Sequence, residues 1–455
     1  MGIRAWIQRA ADPKHALRTV DRMVDNSHAA PFTPGWDLLS SVDRLCAGVS
    51  GIELGQIIAA LPAGAERPAL DAEGSSALSR FLTQAVSRGD VPGVVVLVTA
   101  PDRVLYHEAF GKMNLAQRAD MRKDAIFRIA SMTKAITSVG VMILVEEGQV
   151  GLDDEVSKYL PQFKNPQVMS RLDLPAGTYE TRPATRPITI RQLFTHTSGI
   201  GYSWSDPGLA LVEKLTGKTG EGDLPLVHEP GDQWTYGAGP KVLGDVVTKL
   251  SGQTIEAFLE TRIFRPLGMS DTGYAVPTAK HARVVTLHQR KDGRLTEIPN
   301  TETIAAEPRG DGHLFSTACD YCRFVQMMLN GGQLGNTRLL KAETVREMGR
   351  NQTGNLKVQL QPTADSDYSK PFPLGAGEDV WGLGFQLASP ARPDPAMRRP
   401  GSMSWAGINN TFFWIDPQEE IGAIVLMQLL PFYDEVALGV LHGVETRVYQ
   451  HLRTL

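Results

Sequence analysis

The chain contains one Ser-x-x-Lys sequence, Ser131-Met132-Thr133-Lys134. A serine hydroxyl attacks a carbonyl only when a base takes its proton, and an amine three residues further along a helix projects from the same face. A lysine held among apolar groups loses affinity for its proton and can be that base. The preceding residues, Phe127-Arg128-Ile129-Ala130, place the serine at the first turn of a helical run. Free backbone N–H groups and the positive end of the helix dipole there favour negative charge on an attacked oxygen. Taken alone, the same four residues also describe an N-cap serine beside a solvated lysine.

Two later segments have the composition of functional loops. Glu229-Pro230-Gly231-Asp232-Gln233-Trp234-Thr235-Tyr236-Gly237-Ala238-Gly239 ends in a phenol just ahead of a helix. Ser404-Trp405-Ala406-Gly407-Ile408-Asn409-Asn410-Thr411 begins a strand with small residues that let backbone approach a ligand. Singly, the first is a packed tyrosine and the second a strand with a glycine.

The elements that must position these groups are read from periodicity. Residues 75–88 form a helix with Leu78, Phe81, Leu82, Ala85 and Val86 on one side, and 94–99 and 104–109 form a hairpin about Pro101-Asp102-Arg103. A helix from Ser131 to residue 147 repeats Met132, Ile136, Val139 and Ile143, the cadence of one buried side. Residues 155–310 read as helices and loops, with helices at 190–196, capped by Thr189, and at 242–250 and 255–264. Further helices fall at 319–329 and 342–350, strands at 384–388, 410–415 and 421–428, and a last helix at 434–452. Strands at both ends around a helical middle predict an α+β fold: an antiparallel sheet flanked by helices, with a helical insertion. The organisation expected is an N-terminal helical extension, residues 1–70, then one larger domain, 71–455. That domain's α/β part is 71–155 with 310–455, and its helical part is 156–309. The extension contains runs at 13–25 and 36–60 and shows no chemistry.

In this order and with these flanks, the three segments resemble the superfamily of serine β-lactamases, D,D-peptidases and family VIII carboxylesterases. Leu193-Phe194-Thr195-His196-Thr197-Ser198-Gly199, Pro266-Leu267-Gly268-Met269-Ser270-Asp271-Thr272 and Leu314-Phe315-Ser316-Thr317-Ala318 extend the likeness, which covers about residues 75–455. It implies the β-lactamase/transpeptidase-like fold, Ser131 as the acylated nucleophile, Lys134 as its partner and Tyr236 as proton shuttle. The N–H groups of Ser131 and Ile408 are the implied oxyanion hole. Two departures point within the superfamily. Class C β-lactamases carry Tyr-x-Asn where this chain has Ala238, and Lys-Thr-Gly where it has Trp405-Ala406-Gly407. A site without that carboxylate anchor loses charge-assisted contacts, and an aromatic in its place suits an uncharged acyl or alkoxy group. Trp405, Ala406, Gly407, Ala238 and His313 are therefore the expected substrate-binding residues. The resemblance implies a carboxylesterase acting on short- to medium-chain esters, with weak β-lactam hydrolysis, mostly of cephalosporins. Its alternatives are an acyltransferase, a β-lactamase or D,D-peptidase, and a binding protein acylated without turnover.

Composition bounds the other classes. With 21% charged residues, a net charge of −4 and no dense basic run, no nucleic-acid or anionic-membrane partner is expected, and the partner is a small-molecule ester. No apolar stretch has the length of a membrane helix and no secretory signal opens the chain, so a cytoplasmic location is expected. Three cysteines, Cys46, Cys319 and Cys322, make no disulfide framework. The Cys319/Cys322 pair lacks a second pair for a metal, Gly237-Ala238-Gly239 and Gly310-Asp311-Gly312 lack the third glycine of a nucleotide loop, and no cofactor or metal is implied. A Ser-His-Asp esterase would need a Gly-x-Ser-x-Gly elbow, which the sequence lacks, and His196 reads as part of a structural turn. The sequence sets no oligomeric state.

Overall fold

The computed structural model describes residues 67–454, apart from 302–303, 392–393 and 395. The runs expected at 13–25 and 36–60, and nearly all of the 1–70 extension, lie outside the described residues. Pro68–Leu70 do form a strand, paired antiparallel with Leu452–Thr454. Those three residues are thus tied to the far end of the chain.

The main sheet has eight antiparallel strands: β1 (Gly93–Thr99), β2 (Val104–Asn114), β3 (Ala119–Asp120), β4 (Val380–Trp381), β5 (Gln386–Leu387), β6 (Met403–Gly407), β7 (Thr411–Asp416) and β8 (Ile421–Leu426), in the spatial order β4-β5-β6-β7-β8-β1-β2-β3. The pairing of β8 with β1, Leu426 opposite Val95, joins the late strands to the early hairpin. Every residue of β1, β7 and β8 is buried, because helices cover both faces. Side-chain alternation along β7 shows the two layers. Trp414 donates to Tyr449 of helix α7 (Glu435–His451) at 3.2 Å on one face, where α7 packs on α1 (Ala72–Arg88), while Phe413 meets Tyr321 of α6 (Ala318–Leu329) on the other.

Helix α2 (Thr133–Glu146) departs from expectation in two ways. Residues 133 to 144 are buried on every side, not on one, since α2 runs between α5 (Gly239–Ser251) and the sheet side of the molecule. Ser131 precedes it, in a 3-10 turn, Ala130–Met132. The insertion also contains α3 (Ile190–Thr195), capped by a Thr189–Gln192 capping box, and α4 (Pro207–Thr216), which lies in a stretch read as loop. Two hairpins, Gln167–Asp173 with Thr178–Pro183 and Leu287–Lys291 with Arg294–Ile298, lie in the same stretch. Their strands are largely exposed, so they lack the apolar alternation that would mark them.

Cys319 is disulfide-bonded, its partner lying outside the described residues, and Cys322 is a free, buried thiol. In sequence the three cysteines make no disulfide framework and give no sign of the bond at Cys319. No described helix is long and apolar enough to cross a membrane, and among the described residues no cluster of three His, Cys, Asp or Glu could hold a metal ion.

Candidate active site

Backbone crossings bring the three distant segments together. Ala130 adopts φ +45°, a sparsely populated conformation for a residue with a Cβ, immediately before Ser131. The turn is held by Thr133 Oγ1, which donates to Ala130 O at 2.6 Å, and by Ile129 N–H, which donates to Leu314 O at 2.9 Å. The end of β6 passes directly over this turn. A Cβ at Gly407 would stand 2.3 Å from both Ile129 O and Thr411 Oγ1, so only glycine allows the approach that carries Ile408 to the serine. Asn409 Nδ2 donates to Arg128 O at 3.2 Å and fixes the hairpin there.

Lys134 Nζ lies 3.1 Å from Ser131 Oγ and donates to the backbone carbonyl of Asp311 at 2.6 Å. Its side chain is enclosed, with the rings of Tyr236 and Tyr202 centred 4.9 and 5.5 Å from the nitrogen. Burial pulls its pKa down to about 7; the Asp311 charge opposes that fall and the Arg309 charge adds to it. Asp311 is itself buried. Burial works to raise its carboxyl, but Lys134, Arg309 and Tyr202 outweigh it and hold it at about 2. Tyr202 OH donates to Asp311 Oδ2 at 2.5 Å, and Arg309 Nε to Oδ1 at 2.9 Å.

The Tyr236 phenol accepts a hydrogen bond from Trp405 Nε1 at 3.3 Å. Burial pushes its pKa up, against the lowering influence of the Ser131 and Trp405 side chains, so the phenol is neutral. Its backbone is clamped on both sides. Thr235 N–H donates to His196 O at 2.8 Å, Gly237 N–H to His196 Nδ1 at 3.2 Å, and Tyr236 N–H to Gln361 Oε1 at 3.1 Å. His196 is buried and held neutral, chiefly by desolvation and then by Lys134. With Nδ1 accepting, its ring supports the tyrosine and leaves Ser131 to the lysine.

Ser131, Ala238, Ile408 and His313 line one cleft of about 350 Å³, with Tyr202, Trp204, Arg309, Asp311 and Tyr368 among its other walls. His313 sits exposed at the rim with φ +76°, its Nδ1 2.8 Å from Glu307 O. Two expected binding residues are placed differently. Ala406 points to the opposite face of the sheet, toward a second cavity of about 260 Å³ walled by Arg398 and Glu445. Strand alternation sends it there, away from the cleft. Trp405 packs on Tyr236 and Trp381, with ring centres 4.9 and 4.7 Å away, and reaches the cleft chemistry through the phenol. Gly407 supplies close approach with no side chain of its own.

Sequence reasoning overlooked Asp311, Arg309, Tyr202, Trp204 and Gln361. Asp311 was visible only as the middle of Gly310-Asp311-Gly312, where the signal was the glycines. A Cβ at Gly310 would stand 2.4 Å from Pro240 O, so this loop lies directly on α5, and that contact sets Asp311 beside Lys134.

An antiparallel sheet with a buried Ser-Lys pair at the head of a central helix, a phenol on a loop and a strand edge at the serine defines the serine β-lactamase and penicillin-binding-protein-like class, which includes esterases and acyltransferases. The chain matches the Beta-lactamase family over residues 78–441 and belongs to it. It is 28% identical to esterase EstB of Burkholderia gladioli, over 79% of this chain and 91% of that protein, and 28% identical to monacolin J acid methylbutanoyltransferase of Aspergillus terreus, over 81% and 92%. Among solved structures it resembles a variant of simvastatin synthase from Aspergillus terreus, with a TM-score of 0.71 and 27% identity, covering 83% of this chain and 95% of that one. The protein is a serine hydrolase or acyl transferase of this fold.

Proposed function

We propose that the protein is a carboxylesterase that cleaves short- to medium-chain esters through an acyl-Ser131 intermediate. Neutral Lys134 takes the proton of Ser131 as Oγ attacks the ester carbonyl, and the N–H groups of Ser131 and Ile408 receive the developing oxyanion. The proton passes through Tyr236 to the departing alkoxide, which leaves as the alcohol. Water then attacks the acyl-serine by the reverse relay and releases the acid. The observation that carries this reading is the amine 3.1 Å from the serine oxygen, buried and poised to be neutral near pH 7. Trp405 in place of a cationic third motif and the presence of an esterase among the relatives support an ester over a β-lactam.

A panel of p-nitrophenyl esters and nitrocefin, run on the wild type and Ser131→Ala, tests it. The expected result is ester turnover that exceeds nitrocefin turnover and is lost in the variant, with a wild-type acyl adduct on Ser131 in quenched mixtures. Turnover that survives in Ser131→Ala removes the reading, and nitrocefin as the better substrate makes the protein a β-lactamase. Acyl transfer is the second reading, favoured by the methylbutanoyltransferase among the relatives. Adding a short alcohol to the assay separates the two by the ratio of new ester to acid.

A further inference from the structure

The walls of the cleft are more acidic than its chemistry requires. Glu213, Glu221 and Asp311 line it against a single guanidinium, Arg309. One edge of that guanidinium is taken: Nε and Nη2 bind the Asp311 carboxylate at 2.9 and 3.1 Å, and Nη2 lies 3.4 Å from Glu221. Glu221 is held from its other side by Lys241 at 2.9 Å. Glu213, half-buried on α4, has no ion pair among the described residues. A carboxylate guest would therefore meet the unpaired Glu213 carboxylate and an arginine whose Nε–Nη2 edge already holds a carboxylate, which is discrimination by repulsion.

The cleft is also lined by aromatic rings. Trp204 stacks on Tyr202 (5.5 Å, 29°) and on Phe372 (5.6 Å, 20°), with Tyr368 edge-on at 5.7 Å. Ring faces attract alkylammonium groups, most strongly where carboxylates stand nearby and water is partly excluded. Lys134 Nζ already lies over the Tyr202 ring.

We propose that this cleft selects esters bearing an alkylammonium group and disfavours esters bearing a carboxylate, with the Glu213 and Glu221 carboxylates as the specificity-determining features. The inference rests on the esterase reading and adds the charge class of the substrate to it. It bars the carboxylate that β-lactam antibiotics carry through the same feature.

The test uses three butanoate esters of matched shape: the choline ester, the neutral 3,3-dimethylbutyl ester, and its analogue with one methyl replaced by carboxylate. Expected kcat/KM falls in that order, by about fivefold at each step, the size of one Coulomb interaction across a half-exposed cleft. The spread contracts as salt is raised. Glu213→Gln and Glu221→Gln each narrow the cation-to-carboxylate ratio by removing one negative charge from the wall. An equal rate for the cationic and neutral esters, or a faster carboxylate, overturns the inference, as does a spread that is indifferent to salt. Turnover of the neutral ester tests the esterase reading separately. The ligand-induced thermal shift of Ser131→Ala with the same three compounds gives the order even for a chain that turns over none of them, and a flat or reversed order overturns the inference there too.

Discussion

Asp311→Asn isolates the electrostatics of the base. The substitution keeps the shape of the side chain and the backbone carbonyl that receives Lys134 at 2.6 Å. It removes the charge and turns one of the two oxygens that accept from Tyr202 and Arg309 into an amide donor. A carboxylate within one residue's reach of an ammonium stabilises the charged form by roughly 1–3 pKa units, so Lys134, at about 7 in the wild type, should lose its proton at least about one unit lower in the variant. In the proposed mechanism, acylation requires the neutral amine, so kcat/KM rises with pH through that pKa. The acid limb of the profile should move down by about one unit, while the plateau falls on the order of threefold because a weaker base takes the proton less readily.

The assay is kcat/KM for one neutral p-nitrophenyl ester from pH 5 to 9 in both proteins. Arg309→Gln provides the opposite sign. Its cation depresses Lys134, so its removal should shift the limb upward. Asp311 is buried in an ion pair, and folding of each variant is checked by its melting curve. A limb that stays at the same pH in two folded variants, or moves the same way in both, would refute the assignment of Lys134 as the titrating base.

Three other outcomes follow from the same geometry. Tyr236→Phe removes the relay hydroxyl and keeps the ring that packs on His196 and Trp405, so kcat should drop by about 10²–10⁴-fold with the melting temperature nearly unchanged, read by steady-state kinetics and calorimetry. Lys134→Met should make the protein more stable at neutral and acid pH. A lysine that binds its proton at about 7 folded and near 10.5 unfolded costs folding free energy, fully below pH 7 and not at all above about 10.5. Urea titrations at pH 6 and 10 should show the variant's advantage, at most about 5 kcal/mol, confined to the lower pH. Gly407→Ala places a methyl 2.3 Å from Ile129 O and must displace the Ile408 amide, so kcat should fall by about 10²-fold with about 1–3 kcal/mol of stability, measured by the same two methods.

The parts of the site legible in the sequence were those whose local pattern and chemistry coincide. Ser131 and Lys134 share one short segment, and Tyr236 and Gly407 sit in loops rich in Gly and Pro or small residues. The early hairpin and the late strands showed as apolar runs because both faces of the sheet are covered. What stayed hidden depends on tertiary direction. Nothing in Trp405-Ala406-Gly407 states which residue faces the cleft; the register of β6 against β7, Trp405 opposite Phe413, decides it. Asp311, Tyr202 and Gln361 are ordinary residues in sequence and matter only because separate loops converge on Lys134 and Tyr236. The exposed hairpins of the insertion were missed because strands that bury little carry no periodic apolar signal.

Trp405, one departure from the lactamase pattern, and Asp311 make sense as one arrangement. A cation in the third motif would stand beside Tyr236 and lower its pKa, favouring the phenolate as base. Here an indole N–H takes that place, and burial drives the phenol toward its neutral form. The proton of Ser131 must then go to Lys134, but burial alone would leave that amine too weak a base to compete. Asp311, held ionised by Arg309 and Tyr202, opposes the burial and keeps the amine near neutrality, where a base is half available and still strong. The charge that a lactamase-type site presents to its substrate's carboxylate is absent from this cleft; its remaining cation is locked in an ion pair whose carboxylate tunes the lysine from behind. In the proposed mechanism, the arrangement that would disfavour a carboxylate on the ester is the same one that keeps Lys134 a base.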